Sequence, residues 1–246
     1  MNKKKIKRRR FRLSGFLLIL VIIYIIVMAG YYLFSMPVKS IVVKNNNLVK
    51  EKTIIKASNI KTNKSIFKTN TLKAKKNIKQ LDLINDVRIT KSFLGKIVIT
   101  VEENQILFFD YLDNKIVLSN NKKIDNSKEY VGYPTLVNYV PSDIQKKLVK
   151  SLTKVNSDVI SMISEIEYNP DSYNDIVIDS ERFILRMNDG NTIYINIVNM
   201  EKINKYQDIY SSLTTKGVLY LDSSSKNYVF KSYSNNTEVK EEKNEN

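Results

Sequence analysis

The chain has 246 residues, 43% of them hydrophobic, and a net charge of +15. It contains neither cysteine nor histidine, which excludes disulfide staples, Cys/His zinc sites and the Ser-His and Cys-His nucleophile systems. Any catalysis would have to rest on carboxylates, Lys, Ser or Tyr.

Residues 1–12 hold eight Lys and Arg and no acid, and read as a basic cytoplasmic tail. Residues 13–34, LSGFLLILVIIYIIVMAGYYLF, follow without a single charge. As a helix rising 1.5 Å per residue this run covers roughly 33 Å, enough to cross a hydrocarbon core of about 30 Å. A cleaved secretory signal is the competing reading, but its apolar region is only about 7–15 residues long, and Met28-Ala29-Gly30 matches a cleavage site poorly. The reading is an uncleaved transmembrane anchor with the amino terminus inside and everything from about Met36 outside. Outside the tail the cationic surplus shows no evident block, so the basic run is taken as a topology signal and a lipid-bilayer contact. No nucleic-acid partner is expected.

Residues 38–43 are short and β-branched, end at Asn45-Asn46-Asn47, and read as a strand leaving in a turn. A short helix is expected over 50–57. Thr71 can cap a second one carrying Ala74, Ile78 and Leu81 on one stripe. Residues 87–91 and 95–102 then form paired strands across a turn at Leu94-Gly95, with Ile97, Ile99 and Val101 on the core face. The order β-α-α-β-β over residues 36–104 describes a compact two-layer module.

These residues resemble the POTRA module of the bacterial division proteins of the FtsQ/DivIB family. That family's later signature, V-x-V-x-R-x-[FW]-P-x-x-[IL]-x-I-x-V-x-E-R-x-P, is matched by Val87, Ile89, Lys91, Phe93, Ile97, Ile99, Val101 and Glu102. It is departed from at Leu94, Glu103 and Gln105, none of them on the alternating core face.

Further on, 106–112 and 115–118 flank a hairpin turn at Asp113-Asn114, and 122–124 extends the meander. Pro141-Ser142 opens a helix, with Ser142 and Gln145 as a capping box and Ile144, Leu148, Leu152 and Val155 as its apolar stripe. Strands are expected over 163–168, 176–179, 183–187 and 192–197, the last two joined through Asn188-Asp189-Gly190-Asn191. A helix over 200–213 presents Ile203, Tyr206, Tyr210 and Leu213, and strands over 218–222 and 228–233 close the block. Residues 105–233 resemble the family's β-domain, and the polar residues 234–246 read as a disordered tail. The fold class is α+β: one transmembrane helix, a POTRA domain and a mixed β-rich domain with two helices.

Two acidic groups are candidate sites. Glu102 and Glu103 are adjacent on a strand, so they point to opposite faces and read as a solvated strand end, which leaves a carboxylate-based, membrane-anchored cell-wall hydrolase as the weaker alternative. Asp171, Asp175, Asp179 and Glu181 lack calcium-loop spacing and read as turn chemistry. A POTRA-bearing transport component is disfavoured because no membrane β-barrel pattern follows the module. No catalytic residue, metal ligand or cofactor is assigned.

What remains is surface. The strand over 227–233 has no later sequence to pair with its outer side and is a candidate edge. The resemblance implies a non-enzymatic scaffold at the division septum that docks FtsL-like and FtsB/DivIC-like single-pass proteins, with septal peptidoglycan synthases reached indirectly. By position it implicates Tyr220, Asp222, Tyr228, Val229, Phe230 and Lys231. The competing reading of that strand is that its aromatics finish the core.

Overall fold

The computed structural model describes residues 13–92, 94–127, 130–223 and 228–233. The basic run 1–12, Phe93 of the family signature, and the tail 234–246 lie outside the described residues. The chain divides after Glu103 into two compact units.

In the first unit, helix α1 spans Leu13–Ser35, and its apolar side chains from Phe16 to Phe34 are exposed, as an anchor for a lipid phase requires. Strand β1 (Ser40–Lys44) follows, then helices α2 (Glu51–Ser58) and α3 (Thr71–Ile78) and strands β2 (Ile84–Lys91) and β3 (Lys96–Glu103). The sheet order is β1-β3-β2, with β1 parallel and β2 antiparallel to the central β3. Ile97, Ile99 and Val101 are buried with Ile54, Ala74 and Ile78 of the helices, so the period-two face packs on the helical stripes. Gly95 turns between β2 and β3 at φ +80, and a Cβ there would lie 2.6 Å from the Pro37 carbonyl. The turn therefore demands glycine on both counts.

Three local details differ from the sequence reading. Asn70, not Thr71, caps α3, its Oδ1 accepting from Lys73 N–H at 2.9 Å. Leu81 lies past the end of that helix. Glu103 is more than a solvated strand end. Its carboxylate accepts the backbone N–H groups of Asn47, Leu48 and Val49 at 3.0, 2.8 and 2.9 Å and ties the turn before α2 to β3.

The second unit is built on a nine-stranded sheet. Strands β4 (Ile106–Asp110), β5 (Lys115–Leu118), β6 (Lys123–Asp125) and β7 (Thr135–Leu136) precede helices α4 (Ser142–Leu152) and α5 (Ser157–Ser161). Then come β8 (Ile163–Tyr168), β9 (Asp171–Tyr173), β10 (Ile176–Asp179), β11 (Arg182–Met187) and β12 (Thr192–Asn196). A 3-10 segment Ile197–Lys205 leads into α6 (Tyr206–Ser212), and β13 (Gly217–Tyr220) and β14 (Val229–Ser232) finish the order. The sheet runs β14-β13-β12-β11-β8-β7-β4-β5-β6, while β9 and β10 form a separate hairpin. The apolar stripe of α4, Ile144, Leu148 and Leu152 continuing to Val155, joins Met200, Ile203, Tyr206 and Ile209 over one face of this sheet.

The helix expected over 200–213 is thus a 3-10 segment followed by a short α-helix. Tyr210 is exposed, and Ile209 takes the core position in its place. No capping box forms at Ser142, because Gln145 sends its Nε2 to Asp110 Oδ2 at 2.9 Å instead. The acidic group near Pro170 disperses to separate partners. Asp171 pairs with Arg182 at 3.2 Å, Asp179 accepts Glu181 N–H, and Asp175 sits in the β9–β10 turn at φ 65.

Candidate functional site

The site begins with a backbone constraint. Gly217 opens β13, and a Cβ on it would meet the Lys231 carbonyl oxygen at 2.2 Å and the Phe230 ring at 2.7 Å. Only glycine lets β14 lie this close. Gly217 N–H is held by Asn191 Oδ1 at 2.9 Å, and Asn191 Nδ2 donates to the Tyr206 hydroxyl at 3.0 Å. Tyr206 in turn donates to Asp189 at 2.6 Å. Burial, and then the Asp189 carboxylate, push the Tyr206 phenol above its ordinary value, so it stays a donor. This buried chain fixes where β13 starts and hence where its neighbour lies.

β14 pairs antiparallel with β13, setting Val218 opposite Lys231, Leu219 opposite Phe230 and Tyr220 opposite Val229. Tyr233 N–H donates to the Lys216 carbonyl at 3.0 Å. By the two-residue period of an antiparallel ladder, Val229 and Lys231 turn their backbone polar groups toward β13, and Phe230 turns its own to the open side. Among the described residues no strand occupies that side.

The two faces of the strand carry different chemistry. One register row, Ile166, Leu185, Ile193, Leu219 and Phe230, faces the core, and Phe230 closes it as a partly buried ring. The other row, Glu167, Ile184, Tyr194, Tyr220 and Val229, faces away from the helices. On it the Tyr194 and Tyr220 rings stack at 5.2 Å, with Arg182 over the first and Lys231 over the second, each 5.3 Å from the ring centroid. Tyr233 O–H reaches Thr192 Oγ1 at 2.8 Å, and Val229 is 54% exposed with Tyr228 at 45%.

The six residues singled out from the sequence therefore separate. Tyr220, Val229 and Lys231 share the outer face and Tyr228 is exposed beside them, whereas Phe230 contributes its ring to the core and its backbone to the edge. Asp222 serves the loop. Its carbonyl accepts from Asn196 and Asn199 at 3.1 and 3.2 Å, and its carboxylate lies 3.9 Å from Arg182. Tyr194 and Arg182 complete the outer face, and no local pattern in the sequence marks them, because only the pairing of β11 with β12 and of β12 with β13 brings them in. Among the described residues no three His, Cys, Asp or Glu side chains gather as a metal site would.

A helix long and apolar enough to cross a membrane, a three-stranded module of β-α-α-β-β order and a β-rich module define an α+β protein with an apolar amino-terminal helix. The family description "POTRA domain, FtsQ-type" matches residues 36–104, and "Cell division protein FtsQ/DivIB, C-terminal" matches residues 110–224. The chain belongs to the FtsQ/DivIB family of cell division proteins. It is 28% identical over 233 residues to the cell division protein DivIB of Brevibacillus brevis, a match covering 90% of this chain and 85% of that one. It is 27% identical over 245 residues to DivIB of Listeria monocytogenes, covering 95% and 88%. A solved structure of the major extracytoplasmic domain of DivIB from Geobacillus stearothermophilus matches at 21% identity and TM-score 0.35. That match covers 46% of this chain and 95% of that one.

Proposed function

We propose that the chain is a non-enzymatic, single-pass scaffold of the division machinery, amino terminus in the cytoplasm and both modules outside. It gathers FtsL-like and FtsB/DivIC-like single-pass partners at the septum, and through them the septal peptidoglycan synthases. The observation that carries this reading is β14, the last strand of the nine-stranded sheet, whose outer side no strand occupies among the described residues. A partner strand can add there through main-chain hydrogen bonds, while alternate side chains set specificity. Tyr220, Val229 and Lys231 on the outer face and Tyr228 beside them supply that second element.

The test reconstitutes the full chain in detergent with purified FtsL-like and DivIC-like proteins and follows backbone deuterium exchange. The Phe230 amide, which points to the open side, is expected to slow at least about tenfold on complex formation. The Val229 and Lys231 amides, already paired to β13, change little. A complex that leaves Phe230 unchanged, or no complex, sinks the docking assignment. A uniform membrane signal from a fluorescent fusion sinks septal placement, and release of soluble fragments from purified peptidoglycan contradicts the non-enzymatic part.

A further inference from the structure

Between Lys52 and Leu81 the chain holds nine lysines and no acidic residue. This block goes unnoticed in the sequence because its lysines are spread over α2, the following loop and α3. Folding sorts them. Lys75 and Lys79 both reach Asp86, at 2.9 and 3.2 Å. Lys61, Lys64, Lys68 and Lys73 instead line one groove of about 340 Å³ between the end of α2 and the first turn of α3. Its other walls are Asn, Ser, Thr, Ile60 and Ala74, with no acid. None of these four ammonium groups has an acidic partner among the described residues. Four uncompensated cations around one concavity repel each other and raise the local concentration of anions.

The groove's position says which anion. Its Lys64–Lys68 wall is stitched to the end of α1. Ser65 Oγ donates to the Phe34 carbonyl at 2.5 Å, Ile66 N–H to the Met36 carbonyl at 2.9 Å, and Val38 N–H to the Lys64 carbonyl at 2.8 Å. The Phe67 ring lies 5.3 Å from that of Phe34. The wall thus begins where the apolar span stops, at the depth of a headgroup layer about 5–8 Å thick. Long lysine stems can extend their ammonium groups within that layer.

We propose that this groove binds the phosphodiester headgroups of anionic lipid in the leaflet where α1 ends, holding the first module against the membrane. Lysines meet the phosphate as point charges, and the Asn and Ser side chains supply hydrogen bonds to phosphate and glycerol oxygens. The proposal rests on α1 as an anchor and does not depend on the docking edge or on which side of the membrane the modules face.

The experiment places the full chain in phosphatidylcholine nanodiscs and in nanodiscs in which about a third of the lipid is phosphatidylglycerol. Amide exchange of residues 58–77 is expected to be at least about fivefold slower with the anionic lipid. The difference should vanish in about 1 M salt, where the screening length falls to about 3 Å. A variant carrying Lys61→Gln, Lys64→Gln, Lys68→Gln and Lys73→Gln should show no lipid dependence while β2 and β3 exchange as in the parent. Equal exchange of the parent in both lipids overturns the proposal, and that comparison stands whether or not the variant folds. Equal protection by soluble glycerophosphate in phosphatidylcholine discs also overturns it, by assigning the groove to a free phosphate.

Discussion

The two ends of the nine-stranded sheet are treated in opposite ways. At one end β6 is three residues long, charged at both of its ends and bound down by ion pairs. Lys123 contacts both Asp110, at 3.0 Å, and Asp113, and Lys115 pairs with Asp125. At the other end β14 carries exposed Val229 and Lys231, the single charge of the strand, on one face, with exposed Tyr228 just before it. Short strands and inward-tied charges are how proteins blunt an edge against pairing. Both strands are short, but the β6 end ties its charges down in ion pairs, whereas among the described residues β14 has one charged side chain, Lys231, set over the Tyr220 ring.

The comparison breaks most completely at Gly217. In Gly217→Ala the new Cβ, 2.2 Å from the Lys231 carbonyl, cannot be accommodated while β13 and β14 stay paired. The expected cost is about 3 kcal/mol, at the upper end for overpacking. Exchange at Val229 and Lys231 should accelerate, and partner binding should fall with it. Unchanged exchange at those two amides would show that β14 is not held by this approach.

The closed end has its own weak point in Asp110, whose side chain is 7% exposed. Burial raises its carboxyl pKa, but the Lys123 ammonium, the Asp113 N–H and the Gln145 amide outweigh that and hold it below its ordinary value. A carboxylate with a lowered folded-state pKa stabilises fully above its unfolded value of about 3.9, and that contribution is lost as pH falls through the folded one. Asp110→Asn is expected to cost about 2 kcal/mol at neutral pH. It should also show a shallower loss of stability below about pH 4 than the parent. Asp86 in the first unit, lowered chiefly by its Lys75 hydrogen bond, titrates in the same direction in both proteins, so the difference between the two isolates Asp110. Parallel acid profiles would contradict the assignment.

These features were unequally visible in the sequence. The anchor needs only composition. The β3 face needs only the alternation of Ile97, Ile99 and Val101, and the Gly95 turn only its glycine. What escaped depends on partners far along the chain. Glu103 accepts amides more than fifty residues upstream, and Gln145 leaves its own helix terminus for Asp110. β7 is two residues long and carries no period to detect. At the edge, alternation separates Phe230 from Val229 and Lys231 but cannot say which face turns inward. The buried Leu219 opposite Phe230 decides that, through a register no local pattern encodes.

The smallest perturbation gives the most selective test. Val229→Lys places on β14 the side chain that β6 uses. Val229 is more than half exposed and lies outside the core row, so thermal unfolding should move by less than about 0.5 kcal/mol. An ammonium there would sit across from Tyr220 and next to Lys231 on the outer face, adding like charge beside the proposed docking edge. Binding of a DivIC-like partner is expected to weaken about tenfold, or 1.4 kcal/mol. If the Lys variant bound as tightly as the parent, the outer face of β14 would lie outside the interface. Recognition would then have to come from backbone pairing alone or from another surface. A joint loss of binding and stability would instead mean that Val229 supports the sheet as Phe230 does.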